Sequence, residues 1–219
     1  MDFVIDMIQL TFLLMLILAF IISVKFGRHK KMVSIQLYII LSLIVNLVTR
    51  IVIMLPENHP LKYLPMFVFN ISSIFEMAFI YLFLYSRVSI AKFRMVIMSL
   101  FITYLLICLA LWILKTNSIF SFAPVLFGIQ SIFIAIPSLF FIYEILKSDF
   151  DFDLKADSNF IIACGILFYY SISIPIFFGW YNLFYIAPEF TKILVFSNFI
   201  FATLLIISFI KAYLCLKQE

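Results

Sequence analysis

Charge is what this sequence has least of. Only 12% of its 219 residues are Asp, Glu, Lys or Arg, and 66% are hydrophobic, whereas soluble domains average about a quarter charged and about half apolar. A soluble fold has no interior large enough for that much apolar surface, and the longest mainly polar stretch, Lys147 to Asn159, is too short for a separate soluble domain. Glycine is scarce, at 4 residues, which disfavours phosphate-cradling loops and glycine-broken backbones. The only histidines, His29 and His59, fall in polar connections predicted on opposite sides of a membrane, so neither a histidine metal site nor a Ser/His pair assembles within it. Cys108, Cys164 and Cys215 form an odd, scattered set with no CxxC pair, which argues against a disulfide framework and against redox or metal work. A retinal site fits badly, because Lys192 and Lys211 bracket the last apolar run instead of lying within it. Acid, amide and tyrosine groups are present for a lipid hydrolase, but no nucleophile stands out. The expectation is a non-catalytic protein with no cofactor, no metal and no nucleic-acid partner.

What the chain does have is long apolar runs. A helix crossing a bilayer needs about 20 predominantly apolar residues, and seven windows meet that length: Phe3–Val24, Val33–Leu55, Tyr63–Ser86, Val96–Leu114, Ser121–Leu146, Phe160–Tyr181 and Phe190–Ile210. They are too long and too continuously apolar for barrel strands. The predicted fold is therefore a single all-α transmembrane domain, a bundle of seven helices. Asp2 and Asp6 stand where a signal peptide carries basic residues, so the first run is read as a helix that stays in the membrane.

Basic residues sort unevenly between alternate connections. Lys25, Arg28, Lys30, Lys31, Arg87, Lys92, Arg94, Lys147, Lys155, Lys211 and Lys217 fall on one side, and only Lys62, Lys115 and Lys192 on the other. Positive charge is retained on the cytoplasmic side, which predicts the N-terminus outside and the C-terminus inside. Trp112, Trp180, Tyr181 and Tyr185 lie near the outer helix ends, as an interfacial aromatic belt requires. Arg28, Lys30, Lys31, Arg87 and Arg94 are also candidates to contact anionic lipid or a partner protein, although setting topology is their plainer role. Asp149, Asp151, Asp153 and Asp157 alternate like a calcium loop but lack its central glycine and terminal glutamate, and read as a solvated loop. Asn70-Ile-Ser72 matches a glycosylation sequon inside a span, where it cannot be used.

Polar groups within the spans are the candidates for function, because hydrocarbon makes them costly. At about 1.5 Å per residue, Asn46, Ser72, Ser73, Gln130, Ser131, Ser171 and Asn198 reach one level near the midplane. Glu76 is the single acidic side chain near the membrane centre, where it must be neutralised, paired or hydrated. Arg50, nearer the outside, either pairs with it or snorkels outward. A ligand or ion site of Glu76, Asn46, Asn70, Ser73, Gln130 and Asn198 is the functional expectation; interhelical hydrogen bonds that hold a bundle together are the competing one. Pro137 and Pro175 each free a carbonyl four residues earlier, at Phe133 and Ser171, and predict kinks.

The segment Asn159-Phe-Ile-Ile-Ala-Cys-Gly-Ile-Leu-Phe-Tyr-Tyr170, the pair Ser197-Asn198 and the spacing Asn70 to Glu76 resemble small seven-helix inner-membrane proteins of Bacteroidota, which often accompany sensor histidine kinases. The resemblance covers nearly the whole chain. It implies a bacterial inner (plasma) membrane protein that senses a signal or regulates a protein partner, with a membrane or cytoplasmic signalling protein, or a second copy of the chain, as the partner. The alternative is a small transporter or channel in which Glu76 takes a proton, a cation or a small molecule.

Overall fold

Backbone polar groups have no water to bond in hydrocarbon, so each apolar run satisfies them internally as a helix. The computed structural model describes residues 2–26, 32–56, 59, 61, 64–114, 123–147 and 157–216, leaving out the side chains of residues 2–5, 53, 181–185 and 188. Among the described residues are seven helices: α1 (Asp2–Phe26), α2 (Val33–Ile53), α3 (Leu64–Arg87), α4 (Ala91–Ile113), α5 (Pro124–Lys147), α6 (Ser158–Ile186) and α7 (Pro188–Cys215). They run from 21 to 29 residues, about 32 to 44 Å at helical rise. All seven are long and apolar enough to cross a membrane.

Several helices outrun the predicted windows. α4 begins five residues earlier than Val96, taking in Lys92 and Arg94, and α7 continues past Ile210 through Lys211 to Cys215. Long basic side chains extend along an apolar surface to reach water, so the helix need not end where charge begins. Local chemistry sets two starts: Pro188 opens α7 within its first turn, and the Asp157 carboxylate accepts from the Asn159 and Phe160 amides at 2.7 and 2.9 Å ahead of α6. Asp157 is thus a helix cap. Asp149, Asp151 and Asp153 lie outside the described residues.

Short connections such as Val88–Ile90 and Ala187 make sequential helices antiparallel neighbours. Packing runs α1 to α2, α2 to α3, α3 to α5, α5 to α6, α6 to α7 and α7 back to α1. Six helices therefore close a ring, and α4 packs outside it in the groove between α3 and α5. Two glycines permit the closest approaches. A Cβ on Gly128 of α5 would lie 2.8 Å from the Phe178 ring of α6, and one on Gly165 of α6 would overlap the Ser208 side chain of α7. Without a hydrophobic driving force between helices in lipid, such tight packing between small residues supplies much of the association.

At the end where α3 meets α4, the interior is closely packed and mostly apolar: Leu16, Ala19, Ile35, Ile80, Phe83, Leu84, Phe209 and Tyr213 are fully buried. Two polar ties close that end. The Tyr213 hydroxyl donates to the Met32 carbonyl at 3.2 Å, and Glu144 of α5 accepts from the Ser89 amide at 2.7 Å and from the Ser89 hydroxyl. Arg94 Nε donates to the Val88 carbonyl at 2.7 Å and its guanidinium lies over the Tyr85 ring. Arg87 lies over Phe83. Both arginines are thus engaged with their own chain at the α3–α4 turn, whereas Arg28, Lys30 and Lys31 lie outside the described residues.

Candidate functional site

The i, i+4 spacing that brings Ser42 and Asn46 to one face of α2 turns that face into the ring. There it meets Ser72 and Glu76 of α3, Gln130 and Ser131 of α5, and Asn198 of α7, all lining one internal cavity of about 220 Å³. Tyr38 of α2 and Tyr169 and Tyr170 of α6 line it as well, with Phe12 of α1 and aromatic rings from the other ring helices. No α4 residue takes part, as the position of that helix outside the ring requires. Along α6 the lining extends from Tyr169 to Trp180, about 16 Å of helix.

Of the expected site residues, Glu76, Asn46, Gln130 and Asn198 share this cavity, while Asn70 and Ser73 do not line it. Both are buried on the other side of α3, where the Ser73 hydroxyl bonds the Asn70 carbonyl at 2.8 Å and the Tyr104 hydroxyl of α4 at 3.1 Å. A step of one residue turns a side chain about 100° around a helix, so Ser72 faces the cavity and Ser73 faces α4. Ser171, expected at the same level, is exposed on the outside of the bundle. Trp180, near the end of α6 where an interfacial belt is expected, also lines the cavity; the side chains of Tyr181 and Tyr185 lie outside the description.

The polar groups divide into satisfied and open ones. Gln130 Nε2 donates to the Ser73 carbonyl at 2.9 Å, tying α5 to α3, and Asn46 Nδ2 donates to the Ser42 carbonyl at 2.8 Å. Ser131 donates to the Phe127 carbonyl at 2.7 Å. The Tyr170 hydroxyl and Asn198 Oδ1 are fully buried beside Tyr38 and Tyr169 respectively. Tyr38 faces Ser42 and Tyr170, and Asn198 approaches Tyr169. Glu76 sits mid-helix in α3 within electrostatic reach of Tyr38, Tyr169 and Tyr170. It keeps part of its surface against the cavity. Among the described residues no basic group pairs with it: Arg50 does not line the cavity, and its Nη2 is buried without a partner.

The tyrosines escape sequence reading because a Tyr in an apolar span reads as an ordinary interfacial or packing residue. The available signal was the adjacent pair Tyr169-Tyr170 in the middle of α6, far from either interface. Among the described residues no group of three or more His, Cys, Asp and Glu side chains gathers to hold a metal ion.

Among the described residues the ring, its outlying fourth helix and the polar cavity define an all-helical bundle of seven membrane-length helices around an internal polar space. Comparison with protein-family models, curated proteins and solved structures finds no match.

Proposed function

We propose that this chain is a non-catalytic integral protein of a bacterial inner (plasma) membrane that binds a small molecule in the central cavity and conveys its presence to a protein partner. The observation behind this reading is that the cavity is blind towards the α3–α4 end. On each of the six ring helices the residues beyond the lining are buried and apolar at that end: Leu16, Ile35, Ile80, Ile134, Ile166 and Phe209 each have no exposed surface. Towards the α2–α3 end the neighbouring Arg50, Met66, Phe67 and Lys192 retain exposure. A channel needs a path open on both sides at once, and alternating-access carriers, which open to one side at a time, commonly use broken helices around their site; here the ring helices are continuous.

The eleven basic residues on one side support an orientation with the α3–α4 end in the cytoplasm, the cavity towards the outside and its floor towards the cell. α5 is the element suited to carry a signal between them. It lines the cavity with Phe127, Gln130 and Ser131, holds Pro137 in its middle and ties to Ser89 through Glu144 at its far end. Exposed basic residues on that face, with Arg28, Lys30 and Lys31 in the α1–α2 connection, suit a cytoplasmic signalling protein or anionic lipid.

Transport is the second reading, favoured by the one unpaired carboxyl inside the cavity. Reconstitution into proteoliposomes separates the two: flux of protons, potassium or small amines should not exceed that of empty vesicles. A flux that Glu76→Gln abolishes would replace the sensor reading with the transport one.

A further inference from the structure

The cavity wall has an unusual balance of chemistry. It presents one carboxyl, Glu76, and no Lys, Arg or His among its lining residues. Phe12, Phe69, Phe127, Phe177, Trp180 and Phe199 supply aromatic surface around it, in addition to the three tyrosines. Phe127 and Phe177 stack at 5.3 Å between centroids, and Phe12 meets Phe199 edge-on at 5.7 Å, so these rings belong to a packed wall. A carboxylate in a low-dielectric space without a countercharge is costly, and a cationic occupant offsets that cost. Aromatic faces attract cations through their quadrupole, most strongly when water is excluded. An anion is disfavoured by the same carboxyl.

We propose that the cavity binds a small organic cation, an alkylammonium, with Glu76 as its counterion and the aromatic wall, Trp180 included, around its alkyl groups. This rests on the reading of the cavity as a ligand site and names the ligand class. A hard metal ion fits less well, because calcium takes six to eight oxygens and magnesium a near-ideal octahedron, whereas the wall offers a single carboxyl and most of its lining residues are apolar or aromatic. An alkylammonium requires no such shell. Its size is bounded too: about 220 Å³ falls below the about 300–1,000 Å³ of pockets for drug-sized ligands.

The test uses the full chain in lipid nanodiscs, titrated with tetramethylammonium, choline, ethylammonium and 3,3-dimethylbutan-1-ol, the uncharged carbon isostere of choline, with calorimetry and thermal unfolding as readouts. The cations should bind and raise the unfolding temperature, the isostere should bind at least about tenfold more weakly, and Glu76→Gln should lose about tenfold or more in cation affinity. Trp180→Leu should lose about threefold or more while leaving unliganded unfolding near that of the wild type, which guards against a Glu76 variant that fails to fold. Equal binding of choline and its isostere, insensitive to Glu76→Gln, would overturn the cation assignment and leave the cavity a ligand site. Binding of none of the four probes, together with no hit from a neutral small-molecule screen, would overturn both.

Discussion

Gly165 shows how one side chain governs the bundle. Its missing Cβ is what lets Ser208 of α7 lie against α6, with the Ser208 hydroxyl turned back onto the Leu204 and Leu205 carbonyls at 3.0 and 2.8 Å. Gly165→Val should therefore separate α6 from α7 and destabilise the fold by about 1–3 kcal/mol, the usual cost of overpacking, whereas Ser208→Ala alone should be nearly neutral. Thermal unfolding in detergent measures both, and an unchanged midpoint for Gly165→Val would show that the two helices are not in such close contact. Gly128 against Phe178 makes the same kind of contact between α5 and α6. The scarcity of glycine in the chain thus goes with its placement: two of the 4 lie where helices touch most closely.

At the scale of the helix, Pro137 and Tyr81 act together. The proline leaves the Phe133 carbonyl without its helical donor, and the Tyr81 hydroxyl of α3 donates to that carbonyl at 2.6 Å. The proline turn of α5 is thereby stitched to α3, one turn or so beyond the Gln130 to Ser73 bond that joins the same two helices. Tyr81→Phe should cost about 1 kcal/mol, the scale of interhelical hydrogen bonds in lipid. In a Pro137→Ala background the restored amide serves Phe133, so the same Tyr81→Phe change should cost clearly less. A double-mutant cycle on unfolding free energy checks this; strictly additive losses would mean that the tyrosine does not compensate for the proline. If α5 also relays occupancy of the cavity, Pro137→Ala should leave cation affinity within a few fold while altering the output to a partner.

For the whole molecule, the closed ring with α4 outside it leaves apolar helix faces turned outward, as a lipid environment suits. α4 buries little beyond Ile97, Tyr104 and Cys108, leaving Met95, Met98, Ile102, Leu106, Leu109 and Ile113 exposed. Such a helix suits a bilayer, where exposed apolar side chains carry no penalty. Orientation is testable at this scale. With the native cysteines replaced, a cysteine introduced after Met1 should react with a membrane-impermeant maleimide in intact cells, and one introduced at Glu219 only after lysis. Both ends reacting from the same side would break the proposed topology, and the reverse pattern would invert it and turn the cavity towards the cytoplasm.

Length and hydropathy alone determined that seven stretches form membrane-length helices, since a bilayer dictates helix length and backbone bonding regardless of partners. Spacing along a helix also placed Ser42 beside Asn46, and depth counting brought Asn46, Gln130 and Asn198 to one level, with Glu76 somewhat deeper. Only the tertiary structure decided which of those groups meet. Depth is set by position in one helix, but direction is set by how each helix is rotated against its neighbours, and that depends on packing between residues far apart in sequence. Hence Ser72 and Ser73, adjacent in the chain, face the cavity and α4 respectively, Ser171 faces outward, and Tyr38, Tyr169, Tyr170 and Trp180 join a wall that no spacing announces.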